Sequence, residues 1–223
     1  MSFPPSSTPP PTPSATSESR LAHWNDVYLR KQDAELSWFQ RSPDLSLELI
    51  RSLHPRPVRV LDLGGGQSAL AGALLSAAPA DPSGSIAVLD VAPAAIERAK
   101  ARVGAAAERI RWIVGDLLAV PDLPTVDLWH DRAVLHFLAD PAEQRRYAER
   151  AAAQVVPGGH AVIACFAPSG PERCSGLPVV RRDAAAIETL LRPGFRLVAE
   201  RTETHATPWG KPQEFAYAVL RRT

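Results

Sequence analysis

The chain is poor in the features that mark several large classes of protein. Its 223 residues include two cysteines, Cys165 and Cys174, too few for a disulfide framework. Its net charge is only +1, with 25 basic residues against 24 acidic ones, which disfavours a nucleic-acid partner. No apolar run is long enough to span a membrane, and the N-terminus lacks a signal-peptide pattern. These shortages predict a cytoplasmic, globular protein.

Proline, by contrast, is abundant at one end of the chain. The segment Met1–Ser19 holds six prolines among many serines and threonines and has no periodic apolar pattern. Such a composition cannot bury a core and predicts a disordered tail. We therefore expect one folded domain over residues 20–223, which is long enough for a substantial core.

Beyond the tail, strand patterns alternate with helix patterns. Alternation of this kind predicts a mostly parallel sheet with helices on both faces. Two final strands without a helix between them predict a closing antiparallel hairpin. The expected fold is α/β, a Rossmann-like, doubly wound, seven-stranded sheet preceded by N-terminal helices. The predicted helices are Arg20–Lys31, Asp44–Leu53, Ala69–Ala78, Ala94–Val103, Pro141–Val155 and Ala184–Leu191, and the predicted strands are Val58–Leu63, Ser85–Val91, Ile110–Gly115, Val126–Trp129, His160–Phe166, Phe195–Thr202 and Phe215–Arg221.

A glycine-rich turn follows the first predicted strand, in the segment VRVLDLGGGQSALAGALL over residues 58–75. Gly64 and Gly66 would let a ligand touch the backbone, and the next helix offers free N–H groups to an anionic group. The spacing from Gly64 to Ala69 also fits the dinucleotide fingerprint of dehydrogenases, so the turn alone leaves two cofactor classes open. Asp62, just before the turn, favours a ligand that carries an ammonium group over a pyrophosphate.

Acidic residues also end the second and third strands. Asp90 and Asp116 stand there, followed by Val91 and Leu117, and ligands of open α/β sheets bind at the carboxyl ends of the strands. A carboxylate after the second strand can accept both ribose hydroxyls, and one after the third can accept from the amine of adenine. Each aspartate alone could be a turn former. Together with the glycine turn, they predict a cofactor that contains adenosine.

These motifs resemble those of class I methyltransferases that use S-adenosylmethionine (SAM). The family motif Asp/Glu-x-Gly-x-Gly-x-Gly reads here as Asp62-Leu-Gly64-Gly-Gly66-Gln-Ser68, with Ser68 in place of the third glycine. The family's Pro-Gly-Gly after the fourth strand is matched by Pro157–Gly159. The resemblance implies SAM as cofactor and S-adenosyl-L-homocysteine (SAH) as product. It implies that the glycine turn and the three strand-end carboxylates bind the cofactor.

A second resemblance lies near the N-terminus. Trp24 and Tyr28, followed by Trp38 and Phe39, look like the Trp-x-x-x-Tyr…Trp-Phe/Tyr segment of a subgroup that includes elongation-factor lysine methyltransferases. This resemblance implies that Trp24, Tyr28 and Trp38 contact SAM, and that Arg132 stands where the relatives have a lysine. An aromatic face attracts a sulfonium cation. The same side chains could instead pack the first helix onto the sheet.

The run after the fourth predicted strand supplies the candidates for catalysis. Methyl transfer from a sulfonium is an in-line displacement, and positioning alone can supply up to ~7–11 kcal/mol. A hydroxyl or amine acceptor also needs a base, for which His130, Asp131 and His136 are candidates. We predict catalytic roles for His136 and Arg132 and a substrate contact for His130. Arg132 could hold an anionic substrate group or the SAM carboxylate, or it could pair with Asp131 or another nearby acid. Each histidine could equally be structural.

The long segment Ala167–Arg182 leaves the fifth strand on the substrate side and is punctuated by proline and glycine. Such a loop predicts a lid over the substrate. Cys174 is predicted to contact the substrate, because the neighbouring Arg173 would lower the pKa of its thiol, although an inert buried thiol is the alternative. No metal site is expected.

The leading interpretation is SAM-dependent methylation of a small-molecule acceptor, without a nucleic-acid or membrane partner. Protein lysine methylation is one alternative, suggested by the aromatic N-terminal segment. A nicotinamide-dependent oxidoreductase is another, and a binding protein that keeps the fold without catalysis is a third. A closed lid over the acceptor would favour a small molecule, and an open groove would favour a protein.

Overall fold

The computed structural model of the chain describes residues 16–54, 58–77 and 85–223. Helix α1 (Ser17–Arg30) opens this part, and the hydroxyl of Thr16 caps it by accepting from the Ser19 amide. The helix begins three residues before the predicted helix Arg20–Lys31, so the predicted domain start at residue 20 falls inside it. Residues 1–15 of the predicted tail lie outside the described residues, as does the last residue of the predicted helix Ala69–Ala78.

A seven-stranded sheet forms the centre of the molecule, as the alternation predicted. Its strand order is β3-β2-β1-β4-β5-β9-β8, in which the first five strands are parallel and β9 runs antiparallel to both of its neighbours. The chain runs outward from β1 in one direction and from β4 in the other, so a crevice forms between their carboxyl ends. After α1 the elements are α2 (Asp44–Leu53), β1 (Val60–Leu63), α3 (Leu70–Ala77), β2 (Ile86–Asp90), α4 (Pro93–Val103), β3 (Ile110–Val114), β4 (Val126–Arg132), α5 (Pro141–Gln154), β5 (Val155–Phe166), β6 (Arg173–Cys174), β7 (Leu177–Pro178), α6 (Ala184–Leu191), β8 (Phe195–Ala206) and β9 (Pro212–Arg222).

The two faces of the sheet pack against different helices. Leu61 and Trp129 belong to a buried cluster with residues of α5 and α6, whereas Val60 and Leu128 pack with residues of α2. Successive side chains of a strand point to opposite faces. Asp62 and His130 therefore share the α2 face, and Asp131 lies on the α5 face.

Two central strands are longer than predicted. The fourth strand does not end at Trp129 but continues to Arg132, and the fifth begins at Val155 rather than at His160. Gly159 lies within β5, where a Cβ would come within 2.7 Å of the Asp127 carbonyl oxygen. This glycine therefore allows β5 to pass close to β4. Because β4 continues to Arg132, the side chains from His130 to Arg132 alternate between the two faces of the sheet.

Within the described ranges, no helix combines the length and the apolar character needed to cross a membrane.

Candidate functional site

Two adjoining cavities open at the carboxyl ends of the central strands. The first holds about 870 Å³ and is lined from β2, β3 and α1, whereas the second holds about 560 Å³ and lies over β1 and the glycine turn. The predicted residues Val91, Leu117 and Asp116 line the first cavity. Residues that line both cavities, and so mark where the two meet, are Tyr28, Trp38, Leu63, Gly64 and Arg132.

Asp62 lies on the wall of the second cavity and is 1% exposed. Its Oδ1 atom is 2.7 Å from Nδ1 of His130, while its Oδ2 atom is buried and has no hydrogen-bond partner among the described residues. A buried carboxylate oxygen without a partner is costly. A ligand ammonium group would satisfy it, so the residues present fit the amino-acid end of SAM.

Asp90, at the end of β2, holds the glycine turn in place. Its carboxylate accepts from the Gly66 amide at 3.1 Å and from the Ala92 amide at 2.8 Å. Burial raises the pKa of Asp90 to about 6. A Cβ at position 66 would come within 2.7 Å of this carboxylate, so the approach requires glycine. Gly64 adopts a φ of +59°, which also favours glycine.

Asp116, after β3, is the anchor of α1. It accepts from the Leu118 amide at 2.8 Å, from the Ser17 hydroxyl at 2.8 Å and from Arg20 Nη1 at 2.7 Å. Burial opposes ionisation of this carboxyl, but these hydrogen bonds outweigh it and hold its pKa below the usual value. Arg20 also pairs with Glu143 of α5. The sequence analysis missed Arg20 and Ser17, whose positions depend on how α1 docks.

The three predicted aromatic residues lie together at the first cavity. Trp24 meets Trp38 edge-on at a centroid distance of 5.8 Å, and Tyr28 meets Trp38 at 6.3 Å. Phe137, which the sequence analysis did not single out, joins them 4.8 Å from Trp24. Its position just beyond β4 in a run of apolar residues gave no functional signal. The four rings form the apolar end of this cavity.

Arg132 ends β4 between the two cavities. Its Nε donates to the Tyr217 hydroxyl at 3.1 Å, its Nη1 donates to the Trp38 carbonyl at 3.1 Å, and its Nη2 lies 3.3 Å from Glu203 Oε2. The guanidinium stacks 4.2 Å from the Phe215 ring centroid. A guanidinium has five N–H donors, so these bonds leave one on each Nη for a ligand. The partners in the C-terminal hairpin had no sequence signature.

His136 and Asp131 lie away from the cavities. Asp131 is fully buried and accepts from the Tyr147 hydroxyl at 2.7 Å and from the Val134 amide at 2.8 Å, and burial raises its pKa to about 6. His136 is also fully buried and lines neither cavity, and burial lowers its pKa to about 3. Asp131 stabilises the turn after β4, whereas His136 Nδ1 accepts a long hydrogen bond of 3.5 Å from the Phe166 amide of β5. The geometry gives no support to His136 as a base.

The two predicted substrate contacts have different outcomes. His130 lines the second cavity, not the acceptor end, and Asp62 and Ser46 occupy both of its ring nitrogens, so its prediction as a substrate residue is not supported. Cys174 does line the first cavity, but burial raises the pKa of its thiol to about 11 instead of lowering it.

Backbone hydrogen bonds attach the C-terminal end of the predicted lid to the end of the sheet. The Val180 amide donates to the His136 carbonyl at 2.8 Å, and the Arg182 amide donates to the Phe166 carbonyl at 2.9 Å. Between Ala167 and Val180 the strands β6 and β7 form a short hairpin that presents Cys174.

Comparison with known proteins finds methyltransferases. Residues 60–159 match a family model described as a methyltransferase domain. No curated protein matches the chain. Among solved structures, the chain is similar to the N-methyltransferase NodS from Bradyrhizobium japonicum WM9 in complex with SAH, with 21% identity, a TM-score of 0.66, and coverage of 91% of this chain and 98% of that chain.

Two further structures share the fold. One is the 1,6-didemethyltoxoflavin-N1-methyltransferase of Burkholderia thailandensis with SAH and 1,6-didemethyltoxoflavin bound, at 19% identity, a TM-score of 0.66, and coverage of 96% of this chain and 94% of that chain. The other is a SAM-dependent methyltransferase from Anabaena variabilis, at 15% identity, a TM-score of 0.69, and coverage of 95% and 97%. At these identities the likeness concerns the fold.

Proposed function

The chain is a class I SAM-dependent methyltransferase, and we propose that it methylates a small molecule held at the aromatic end of the first cavity. Its cofactor is SAM, so the alternative of a nicotinamide-dependent oxidoreductase is not favoured. Support for a small acceptor comes from two of the similar structures, whose own names are those of an N-methyltransferase and of a toxoflavin-type methyltransferase.

The observation that carries the proposal is that two separate segments of the chain line the first cavity at its aromatic end. Trp24 and Tyr28 of α1 line it from one side, and Cys174 of the fastened hairpin lines it from another. A protein acceptor would need a groove through which a lysine side chain could enter from bulk solvent.

We assign the cofactor contacts by chemistry. The unpartnered oxygen of Asp62 would receive the ammonium group, and the remaining N–H groups of Arg132 would receive the carboxylate. Asp90 would accept from the ribose hydroxyls, with Val91 beside it. Asp116 would accept from the adenine amine, next to Leu117, while keeping its bond to Arg20.

The bound SAM supplies a methyl group already activated on a sulfonium. The chain therefore mainly positions the acceptor and excludes water, and positioning of this kind contributes up to ~7–11 kcal/mol. Among the described lining residues of the acceptor end, no group titrates near neutral pH. Burial raises the pKa of Tyr28 well above its usual value and that of Cys174 to about 11.

The acceptor atom must accordingly be nucleophilic in the form that it takes at neutral pH, without a base supplied by the protein. A thiolate, a carboxylate, a phenolate or a neutral amine or heteroaromatic nitrogen meets this condition. An aliphatic hydroxyl does not, because it needs a base. The aromatic rings around the site favour acceptors with a flat or apolar body.

A SAM-consumption screen with small thiols, phenols, carboxylates, amines and heteroaromatic compounds tests the proposal. We expect turnover with one of the ionisable or heteroaromatic classes. For that acceptor, Phe137→Ala should raise the KM and leave the SAH dissociation constant unchanged. Trp209→Ala is the matched control, because Trp209 is an aromatic residue that is 57% exposed in the last hairpin. Turnover only on protein substrates would overturn the proposal.

A further inference from the structure

A buried chain of hydrogen bonds lies behind Asp62 and connects three elements. Asp62 of β1 and His130 of β4 are direct partners in the parallel strand register. The Asp62 Oδ1 atom is 2.7 Å from His130 Nδ1, and His130 Nε2 is 2.9 Å from the hydroxyl of Ser46 in α2. The three residues are 1%, 3% and 1% exposed.

The two ends of this chain hold the His130 ring. A carboxylate oxygen accepts hydrogen bonds, so the Nδ1 atom of His130 donates to Asp62 Oδ1. The Nε2 atom of His130 shares the second hydrogen bond with the Ser46 hydroxyl. Both ring nitrogens are used, and the imidazole plane is fixed. The one atom of the chain left without a partner in the described structure is Asp62 Oδ2.

The carboxylate of Asp62 is also confined from the opposite side. A Cβ at Gly65 would collide with its Oδ2 atom, so the backbone of the glycine turn lies close to that oxygen. Arg132, two residues beyond His130 on the same face, bonds Glu203 and Tyr217 instead. His130 is therefore the polar side chain that orients Asp62 among the described residues.

We propose that His130 and Ser46 are positioning residues of the cofactor site. They hold Oδ1 of Asp62 from behind and leave Oδ2, which has no partner among the described residues, to receive the ammonium of the amino-acid end of the cofactor. A side chain that orients a ligand-binding group in this way acts through it, much as outer partners orient metal ligands. The proposal rests on SAM as cofactor and is independent of the acceptor.

Two ligands that differ only at the amino-acid end give the test. SAH carries the ammonium group, whereas 5′-methylthioadenosine keeps the adenosine and the thioether but lacks the amino-acid end. In His130→Leu, we expect SAH to bind about tenfold more weakly or worse, as for loss of an oriented hydrogen bond to a charged group. Methylthioadenosine should bind with unchanged affinity.

Three variants sharpen this test. His130→Asn keeps an N–H donor near the position of Nδ1 and should restore part of the SAH affinity. Ser46→Ala removes the outer bond, together with the contact of Ser46 with the Tyr217 hydroxyl, and should give a smaller loss that is again confined to SAH. It carries the test if His130→Leu does not fold. His160→Asn is the matched control, since His160 bonds His54 and lines neither cavity.

Titration calorimetry on the full chain separates the outcomes. A loss confined to SAH supports the positioning role. Equal weakening of both ligands would overturn it in favour of a general structural role, and unchanged SAH binding would show that Asp62 needs no support. Failure of the unaltered protein to bind SAH would instead count against SAM as the cofactor.

Discussion

The cofactor half and the acceptor half of the cleft are built from different parts of the chain. In the cofactor half, Asp90 and Asp116 stand at the ends of their strands. Each accepts from a backbone amide two residues further along, and Asp90 also accepts from the Gly66 amide of the glycine turn. In the acceptor half, Trp24, Phe137 and Cys174 come from three distant segments and converge only in the folded chain. In the first half, contacts between strand-end carboxylates and backbone amides recur and distant side chains reinforce them, whereas the second half depends on tertiary packing throughout. Changes in the first should therefore alter cofactor affinity, and changes in the second should alter acceptor use.

The largest effect is expected at Asp90. In Asp90→Asn the amide group cannot accept on both sides, and the Gly66 amide or a ribose hydroxyl loses its partner. We expect the SAH dissociation constant to rise about 10- to 100-fold, as for loss of a hydrogen bond to a charged group. Isothermal titration calorimetry measures it. Asp122→Asn is the control, because that carboxylate is 85% exposed and pairs only with Arg111.

The pH dependence of SAH binding should come next in size. Because burial raises the pKa of Asp90 to about 6, the free protein takes up a proton there as the pH falls through about 6. A protonated carboxyl accepts ribose hydroxyls poorly, so affinity should fall by at most about tenfold per pH unit below that value. Asp90→Asn should remove this component, and an identical pH profile in both proteins would contradict it.

The same shift has the opposite sign for stability. The folded apo protein binds a proton at Asp90 more readily than the unfolded chain does. The contribution of Asp90 to stability therefore rises as the pH falls from about 6 toward the unfolded pKa near 4. Denaturant unfolding of the two proteins across this range, compared as a difference, measures this contribution.

A moderate effect is expected at the contact between α1 and the adenine side. Arg20→Ala removes the link from α1 to Asp116 and Glu143, so SAH should dissociate about three- to tenfold faster. Stopped-flow tryptophan fluorescence can follow this, because Trp24 lies at the cavity. Arg30→Ala on the same helix breaks an exposed pair and should leave the rate unchanged. Equal rates in the two variants would mean that α1 does not retain the cofactor through Arg20.

The smallest effect is expected at His136. A fully buried imidazole with a pKa of about 3 does not titrate during turnover near neutral pH. His136→Gln should therefore keep the shape of the profile of kcat against pH for whichever acceptor the screen identifies. Loss of a titrating limb between about pH 6 and pH 7 would restore His136 as a base.

The contrast between the two halves also explains what the sequence could predict. The sheet, its closing hairpin and the strand-end carboxylates follow from alternation and from residues that stand at fixed places after strands. The length of β4 does not follow, because His130 and Asp131 look like loop residues. They can lie in a buried strand because each has a hydrogen-bond partner: His130 bonds Asp62, 68 residues away, and Asp131 bonds Tyr147, 16 residues away.

Strand register offers the signal that was not used. Had β4 been extended by alternation from Leu128, His130 and Arg132 would have fallen on the same face as Asp62. That face is the one on which they meet their partners. Glu203, Tyr217 and Phe215, which hold Arg132, lie in the last hairpin and became visible only with its pairing to β5. Polar residues with distant partners are thus the part that local patterns cannot supply.

The most direct test of a small-molecule acceptor is where a transferred methyl group ends up. The full chain would be incubated with methyl-labelled SAM and a bacterial extract, and the products separated on a filter that retains proteins. The account predicts that compounds other than SAM carry label in the filtrate. Their label should be reduced in Phe137→Ala but not in Trp209→Ala. Label that is retained with protein and resists denaturation would contradict it.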